Sequence, residues 1–229
     1  MDNKSKPISD SEIDPYVFEN GFYLHCSPSR IGKLISHYHL YQKIINNIPG
    51  SIIEFGVFKG SSLFRFAAFR SLFETPDARE IVGFDTFGDF PTTSYEPDQK
   101  ALSDFLALAG NTSIDKDDLI NILKSKGVER NIELIKGDIL ETLPSYIASR
   151  PQLRASIIHL DVDVYKPSKC VLDYAYPILM PGGVLILDDY GLFPGATRAV
   201  DDFFANRPEA ICSFSFSRAP AYVIKQKQP

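Results

Sequence analysis

No apolar run in this 229-residue chain approaches the ~20 residues needed to cross a bilayer. The opening stretch, MDNKSKPISDSEIDP, is polar and lacks the hydrophobic segment of a secretory signal. Cysteine is scarce. Cys26, Cys170 and Cys212 are widely spaced, follow no metal-ligand pattern and are odd in number, so they read as reduced thiols. A soluble, cytoplasmic chain is the expectation from these absences. Positive charge is also in short supply. The 24 Lys and Arg against 29 Asp and Glu leave a net charge of −5. That balance offers no basic face to a nucleic-acid backbone or an acidic membrane, so neither partner is expected. Neither G-x-G-x-x-G nor a phosphate loop ending in G-K-[ST] occurs, which removes the usual dinucleotide and triphosphate signatures. Internal repeats and low-complexity blocks are absent too.

Against these absences stands a hydrophobic content of 44%, enough in a chain of this length to bury one full core. The stretch Ser51–Ser62, SIIEFGVFKGSS, organises it. Ile52, Ile53 and Phe55 read as a buried strand with Glu54 near its end. Gly56 and Gly60 then turn the chain into a helix opening at Ser61 and Ser62. Strand, glycine turn and helix start make a ligand cradle, because glycine lets backbone approach closely and the first helical N–H groups are free. A strand-terminal acid beside it suits a ligand with a positive end.

Residues 1–27 read as an N-terminal arm and 28–229 as the domain proper. From Pro28 to Asn47, Ile31, Leu34, Ile35, Tyr38, Tyr41, Ile44 and Ile45 recur at helical spacing. His25, His37 and His39 lie in or near this helix without an i,i+4 pair, and read as surface or hydrogen-bonded side chains rather than metal ligands. Strands are predicted over residues 79–85, 131–136, 155–160 and 183–187, and helices over 63–73, 115–126, 140–149 and 196–206. Residues 211–217 and 221–225 form a closing hairpin. Buried strands alternating with helices, then a hairpin, give a Rossmann-like three-layer α/β sandwich. The segment 86–130 exceeds an ordinary crossover and reads as an insertion. It serves as a lid or acceptor platform on one reading and merely widens the core on another.

Nearly every predicted parallel strand ends in an acid: Glu54, Asp85, Asp138, Asp161 and the pair Asp188-Asp189. Carboxyl ends of parallel strands share one edge of the sheet, where open α/β folds bind ligands. Like charges gathered there repel unless a cation sits among them. Asp161, Asp188 and Asp189 supply three hard oxygen donors of the kind Mg²⁺ favours. Asp85, at the tip of the strand after the cradle, is placed for ribose hydroxyls. Asp163 and His159 flank Asp161 along the chain.

EFGVFKGSS, GFDTF, HLDVDVYKPS and PGGVLILDDYG together resemble the class I S-adenosylmethionine (SAM)-dependent methyltransferases. More narrowly they resemble the macrocin O-methyltransferase family of metal-dependent sugar methyltransferases, over roughly residues 30–225. The resemblance implies a mostly parallel seven-stranded sheet with a C-terminal antiparallel hairpin. It implies SAM and Mg²⁺ as cofactors and a small-molecule sugar or glycoside acceptor, with homo-oligomerisation left open. The implied donor pocket comprises Glu54, Gly56, Val57, Phe58, Ser61, Ser62, Asp85, Thr86, Asp138, Ile139 and Asp161. The implied metal ligands are Asp161, Asp188 and Asp189, and the candidates for proton transfer are Asp161, Asp163, Asp189 and His159. Tyr16, Phe22, Tyr23 and the 86–110 segment are candidates for the acceptor wall. A catechol- or phenylpropanoid-type O-methyltransferase and a non-catalytic SAM-binding protein are the alternatives. Val164 stands where the catechol type carries a lysine, which argues against the first.

Overall fold

The chain's structure, a computed structural model, describes residues 15–226; residues 1–14 of the expected arm lie outside them. Five parallel strands form the body of the sheet: β1 (Ser51–Phe55), β2 (Ile81–Asp85), β3 (Ile132–Lys136), β4 (Ala155–Leu160) and β5 (Leu179–Leu187). β7 (Ala221–Ile224) runs antiparallel against β5, with the two-residue β6 (Cys212–Ser213) outside it. The order β3-β2-β1-β4-β5-β7-β6 is the seven-stranded sheet expected. The hairpin is shorter than its sequence suggests, because only Cys212 and Ser213 pair with β7.

Side chains alternate across each strand, so one set of residues feeds two cores. Ile53, Phe55, Val82, Phe84, Ile158, Leu160, Leu185 and Leu187 pack on one face, and Ile52, Ile81, Ile157, Val184 and Ile186 on the other. Eight α-helices are described: α1 (Pro15–His25), α2 (Pro28–Ile44), α3 (Ser61–Phe73), α4 (Glu96–Ala109), α5 (Lys116–Ser125), α6 (Ile139–Ser149), α7 (Tyr165–Ala175) and α8 (Pro194–Phe204). Connections run outward from β1 in one direction and from β4 in the other. The crevice where the order reverses therefore opens between the carboxyl ends of β1 and β4.

Two elements depart from the sequence reading. Residues 15–25 of the arm are helical, and α1 leaves Tyr16, Val17, Phe18, Tyr23 and Leu24 exposed. α2 follows expectation in part. It buries Gly32, Ser36, His37, Leu40, Tyr41 and Ile44. Tyr41 and Ile44 are buried as the apolar spacing implies, with Leu34 and Ile45 packed on the core. Ile35 and Tyr38 face outward because the small and polar residues Gly32, Ser36 and His37 meet the sheet. The opposite edge of the sheet is closed by buried arginines. Arg70 donates to the carbonyls of Arg79 and Asn131, and Arg79 to those of Ile48 and Ile44. Cationic side chains thus satisfy carbonyls at the amino ends of the strands, leaving the acids at the carboxyl ends.

Candidate active site at the carboxyl edge of the sheet

A cavity of about 590 Å³ opens at this crevice. Of the expected donor-pocket residues, Gly56, Phe58, Asp85, Thr86, Asp138, Ile139 and Asp161 line it. The turn after β1 is held by Asp85, whose Oδ2 accepts from the N–H of Val57 (2.9 Å) and Phe58 (2.8 Å). Its Oδ1 accepts from the N–H of Phe87 at 2.8 Å. The Thr86 hydroxyl also donates to Oδ1 at 3.4 Å, so four donors surround this carboxylate. Phe58, Phe87 and Asp163 all sit at positive φ (48°, 45° and 60°), a conformation that costs non-glycine residues energy and concentrates at functional edges. Asp138 caps α6 through a 2.9 Å bond from Leu140 N–H and faces the cavity as well.

Glu54, Val57, Ser61 and Ser62 do not line the cavity. Glu54 is fully buried; one carboxylate oxygen takes the Ser62 hydroxyl and the His159 Nδ1 (3.2 Å), and the other has no partner. It therefore lies beneath the floor of the cavity. The glycines also serve the protein itself. A Cβ at Gly56 (φ 88°) would fall on the Asp161 carbonyl oxygen, and one at Gly60 (φ 81°) would come within 2.7 Å of Leu119.

The acids converge, in a different grouping from the one expected. Carboxylate oxygens of Asp161, Asp163 and Asp189 lie within 4.8 Å of one another. Asp163 does not arrive there as the next same-side residue of a strand, because β4 ends at Leu160. The turn brings it round, and its N–H donates to Asp189 Oδ2 at 2.9 Å. Burial and the charge of Asp161 push the Asp163 carboxyl up to about 8. Burial, then Asp188, raises Asp161; burial, then Asp163 and Asp188, raises Asp189. Such a set is short of positive charge and offers hard oxygens, which fits a divalent cation of the Mg²⁺ type.

Asp188 is engaged elsewhere. Its Oδ2 receives the Lys33 ammonium at 2.6 Å and its Oδ1 lies 3.5 Å from His159 Nε2. Burial alone would raise it, but Lys33 and His159 hold it well below the usual carboxylate range. His159 is fully buried and does not line the cavity, so it supports Asp188 from below and is not placed to touch a substrate. Burial opposes its charge, yet bonds to Asp188 and Glu54 lift it to about 10, making it cationic at neutral pH. His37, which also approaches Asp188, accepts from Arg65 through Nδ1 at 3.0 Å. A guanidinium only donates, so the His37 proton sits on Nε2, which blocks that nitrogen as a metal ligand.

Sequence reasoning missed Lys33 and Asp98. Lys33 lies one turn before His37 on the inward face of α2, among polar residues that apolar spacing passes over. Asp98 of α4 is fully buried, with Oδ2 accepting from Tyr165 N–H (2.9 Å) and Oδ1 from Gly195 N–H (2.6 Å). It clamps the 86–130 segment onto the starts of α7 and α8. Phe90, Thr92 and Phe105 of that segment line the cavity, whereas Tyr16, Phe22 and Tyr23 are exposed and do not.

A profile of the macrocin-O-methyltransferase (TylF) family matches residues 30–210. The chain belongs to this family. One macrocin-type relative, 8-demethyl-8-(2,3-dimethoxy-alpha-L-rhamnosyl)-tetracenomycin-C 4'-O-methyltransferase of Streptomyces olivaceus, is 28% identical over 165 residues. The match covers 70% of this chain and 60% of that protein. Curated relatives of the macrocin family are thus matched over no more than 61% of their length. Among solved structures, the calicheamicin methyltransferase CalS11 superposes with a TM-score of 0.76 at 28% identity, covering 94% of this chain and 87% of that one. Its apo form, described as a TDP-rhamnose 3'-O-methyltransferase, matches at 30% identity with a TM-score of 0.67, covering 93% and 87%. The fold is that of the class I methyltransferases.

Proposed function

We propose that this protein is a SAM-dependent O-methyltransferase that acts, with a divalent cation, on a hydroxyl of a sugar or glycoside. The observation that carries the reading is the convergence of Asp161, Asp163 and Asp189 on the cavity at the sheet's reversal point. Membership of the macrocin family and likeness to a rhamnose methyltransferase support the substrate class.

When bound, SAM supplies an electrophilic methyl group and the dication polarises the acceptor hydroxyl, whose proton is otherwise held far above neutral pH. Asp161, Asp163 and Asp189 are the residues that would hold the dication, joined by Asp188 if its pairing with Lys33 is broken. Asp85 and Asp138 present carboxylates to ribose hydroxyls, and Phe58, Phe90 and Ile139 give the cavity an apolar wall that excludes water. Asp163 lines the cavity beside Asp161 and Asp189, and its ionised carboxylate is the proton acceptor we assign there. The transfer itself requires in-line alignment and no covalent enzyme intermediate.

The test is methyl transfer from SAM to a panel of nucleotide sugars, glycosides and simple catechols, with and without a chelator. Asp189→Asn is expected to lower turnover on the sugar acceptor by ~10²-fold or more and to remove the effect of chelation, while leaving SAM affinity near wild type. Undiminished turnover that stays sensitive to chelator in this variant would sink the assignment of the cluster. Turnover confined to catechols would sink the substrate class.

A further inference from the structure

Three cations line the cavity: Arg30, Lys33 and Lys166. Of these three, only Lys33 pairs with the acids there. Its Nζ lies 2.6 Å from Asp188 Oδ2 and 3.8 Å from Asp161 Oδ2. Its side chain is 19% exposed, so the ammonium has given up most of its water for these carboxylates. Asp188 is saturated by this arrangement, with Lys33 on one oxygen and His159 on the other. Asp161, Asp163 and Asp189 stand together without any cation within hydrogen-bond distance of their carboxylates.

A dication and an ammonium cannot share these oxygens. The 2.6 Å contact occupies Asp188 Oδ2, and like charges held this close in a partly buried site repel far more strongly than in water. We propose that Lys33 opposes a divalent cation at Asp161, Asp163 and Asp189, by repulsion from 3.8 Å beside Asp161 and by occupying Asp188 as a further ligand. Lys33 then keeps the acids together when no metal is bound and sets how tightly a dication is held. α2 thereby delivers a counter-ion to the edge of the sheet. The inference rests on reading the acid cluster as a dication site.

The experiment is Mn²⁺ binding to the full chain, without SAM or acceptor, followed by calorimetry and by the electron paramagnetic resonance signal of free Mn²⁺. Lys33→Met is expected to bind at least ~10-fold more tightly than wild type, since a competing charge is gone. Lys33→Arg, which keeps the charge, and Lys166→Met, which removes an unpaired one from the same cavity, are expected to stay within about threefold of wild type. Equal or weaker binding by folded Lys33→Met overturns the competition and leaves the cluster a cation site. An absence of Mn²⁺ uptake by wild type and all variants overturns the cluster as well. Should Lys33→Met not fold, wild-type protein decides: acylation of Lys33 by an N-hydroxysuccinimide ester, read by mass spectrometry, should rise severalfold on adding Mn²⁺. Unchanged labelling overturns the proposal.

Discussion

A methyl group at position 56 has nowhere to go. Gly56 holds φ at 88°, and its missing Cβ points at the carbonyl oxygen of Asp161, a backbone atom with no rotamer to yield. Gly56→Ala combines left-handed strain with overpacking, each worth about 1–3 kcal/mol, so a loss of roughly 3 kcal/mol or more is expected in urea unfolding. Because the clash displaces the residue that carries the first acid, Mn²⁺ affinity should fall together with stability. A variant as stable as wild type would show that the two loops are not in contact. The acids themselves were legible in the sequence because each follows a run of buried strand residues, and parallel strands bring their ends to one edge. Their partners were not. Whether Asp188 joins Asp161 or turns to Lys33 depends on a lysine 155 positions away in the chain, which no local pattern reports. The depth of Glu54 is hidden for a related reason. The strand was correctly placed, but its penultimate residue lies in the middle of the sheet, paired with His159 of β4 in register and sealed from the cavity.

At the scale of elements, the insertion between β2 and β3 is joined to the site by ring contacts of Phe105 with Phe58 and Phe193 and of Tyr95 with Tyr165, and by one buried carboxylate. Asp98 receives N–H groups from the starts of α7 and α8, where helix dipoles favour a negative charge, and its position in the first turn of α4 fixes that helix as well. Asp98→Asn keeps the shape but exchanges one acceptor for a donor that faces an N–H group. A loss of about 2–3 kcal/mol is expected, the range for a buried donor left unsatisfied beside a removed charge. Hydrogen exchange should quicken in 96–110 and at the starts of α7 and α8, with β1 to β4 unaffected. Protection unchanged in α4 would mean that its packing, not this clamp, holds the insertion. Helix α4 also shows where element reading runs short. Within the 86–130 insertion the sequence predicts a helix only over 115–126, because the first turn of α4, from Glu96, is polar and nothing hydrophobic marks it. α1 was missed for the opposite reason: its apolar residues surround the helix, so no amphipathic period separates it from an irregular segment.

Over the whole molecule, the buried carboxylates Asp163, Asp188 and Asp189 gather at the carboxyl ends of the strands, with Lys33 and His159 as close cationic partners of Asp188. That gathering makes stability depend on pH. Folding raises Asp163 to about 8, through burial and then Asp161. It lifts His159 to about 10, where bonds to Asp188 and Glu54 overcome burial. A group whose pKa is higher in the folded chain binds its proton more tightly there. Its contribution is complete below the unfolded pKa and disappears as pH climbs through the folded one. For Asp163 the loss runs from about 4 to about 8 and for His159 from about 6.5 to about 10. Asp188, depressed by Lys33 and His159 against the effect of burial, works in the opposite sense, and its stabilisation is lost only on acidification below about 4. The metal-free protein should therefore melt at progressively lower temperature between pH 6 and 9. Mn²⁺ should raise the melting temperature more at pH 9 than at pH 6, because at the higher pH it displaces fewer protons, that of Asp163 among those already lost. Scanning calorimetry at both pH values, with and without Mn²⁺, reads this directly. A melting temperature flat from pH 6 to 9, with an equal Mn²⁺ shift at each end, would mean that these carboxylates do not hold their protons in the folded chain.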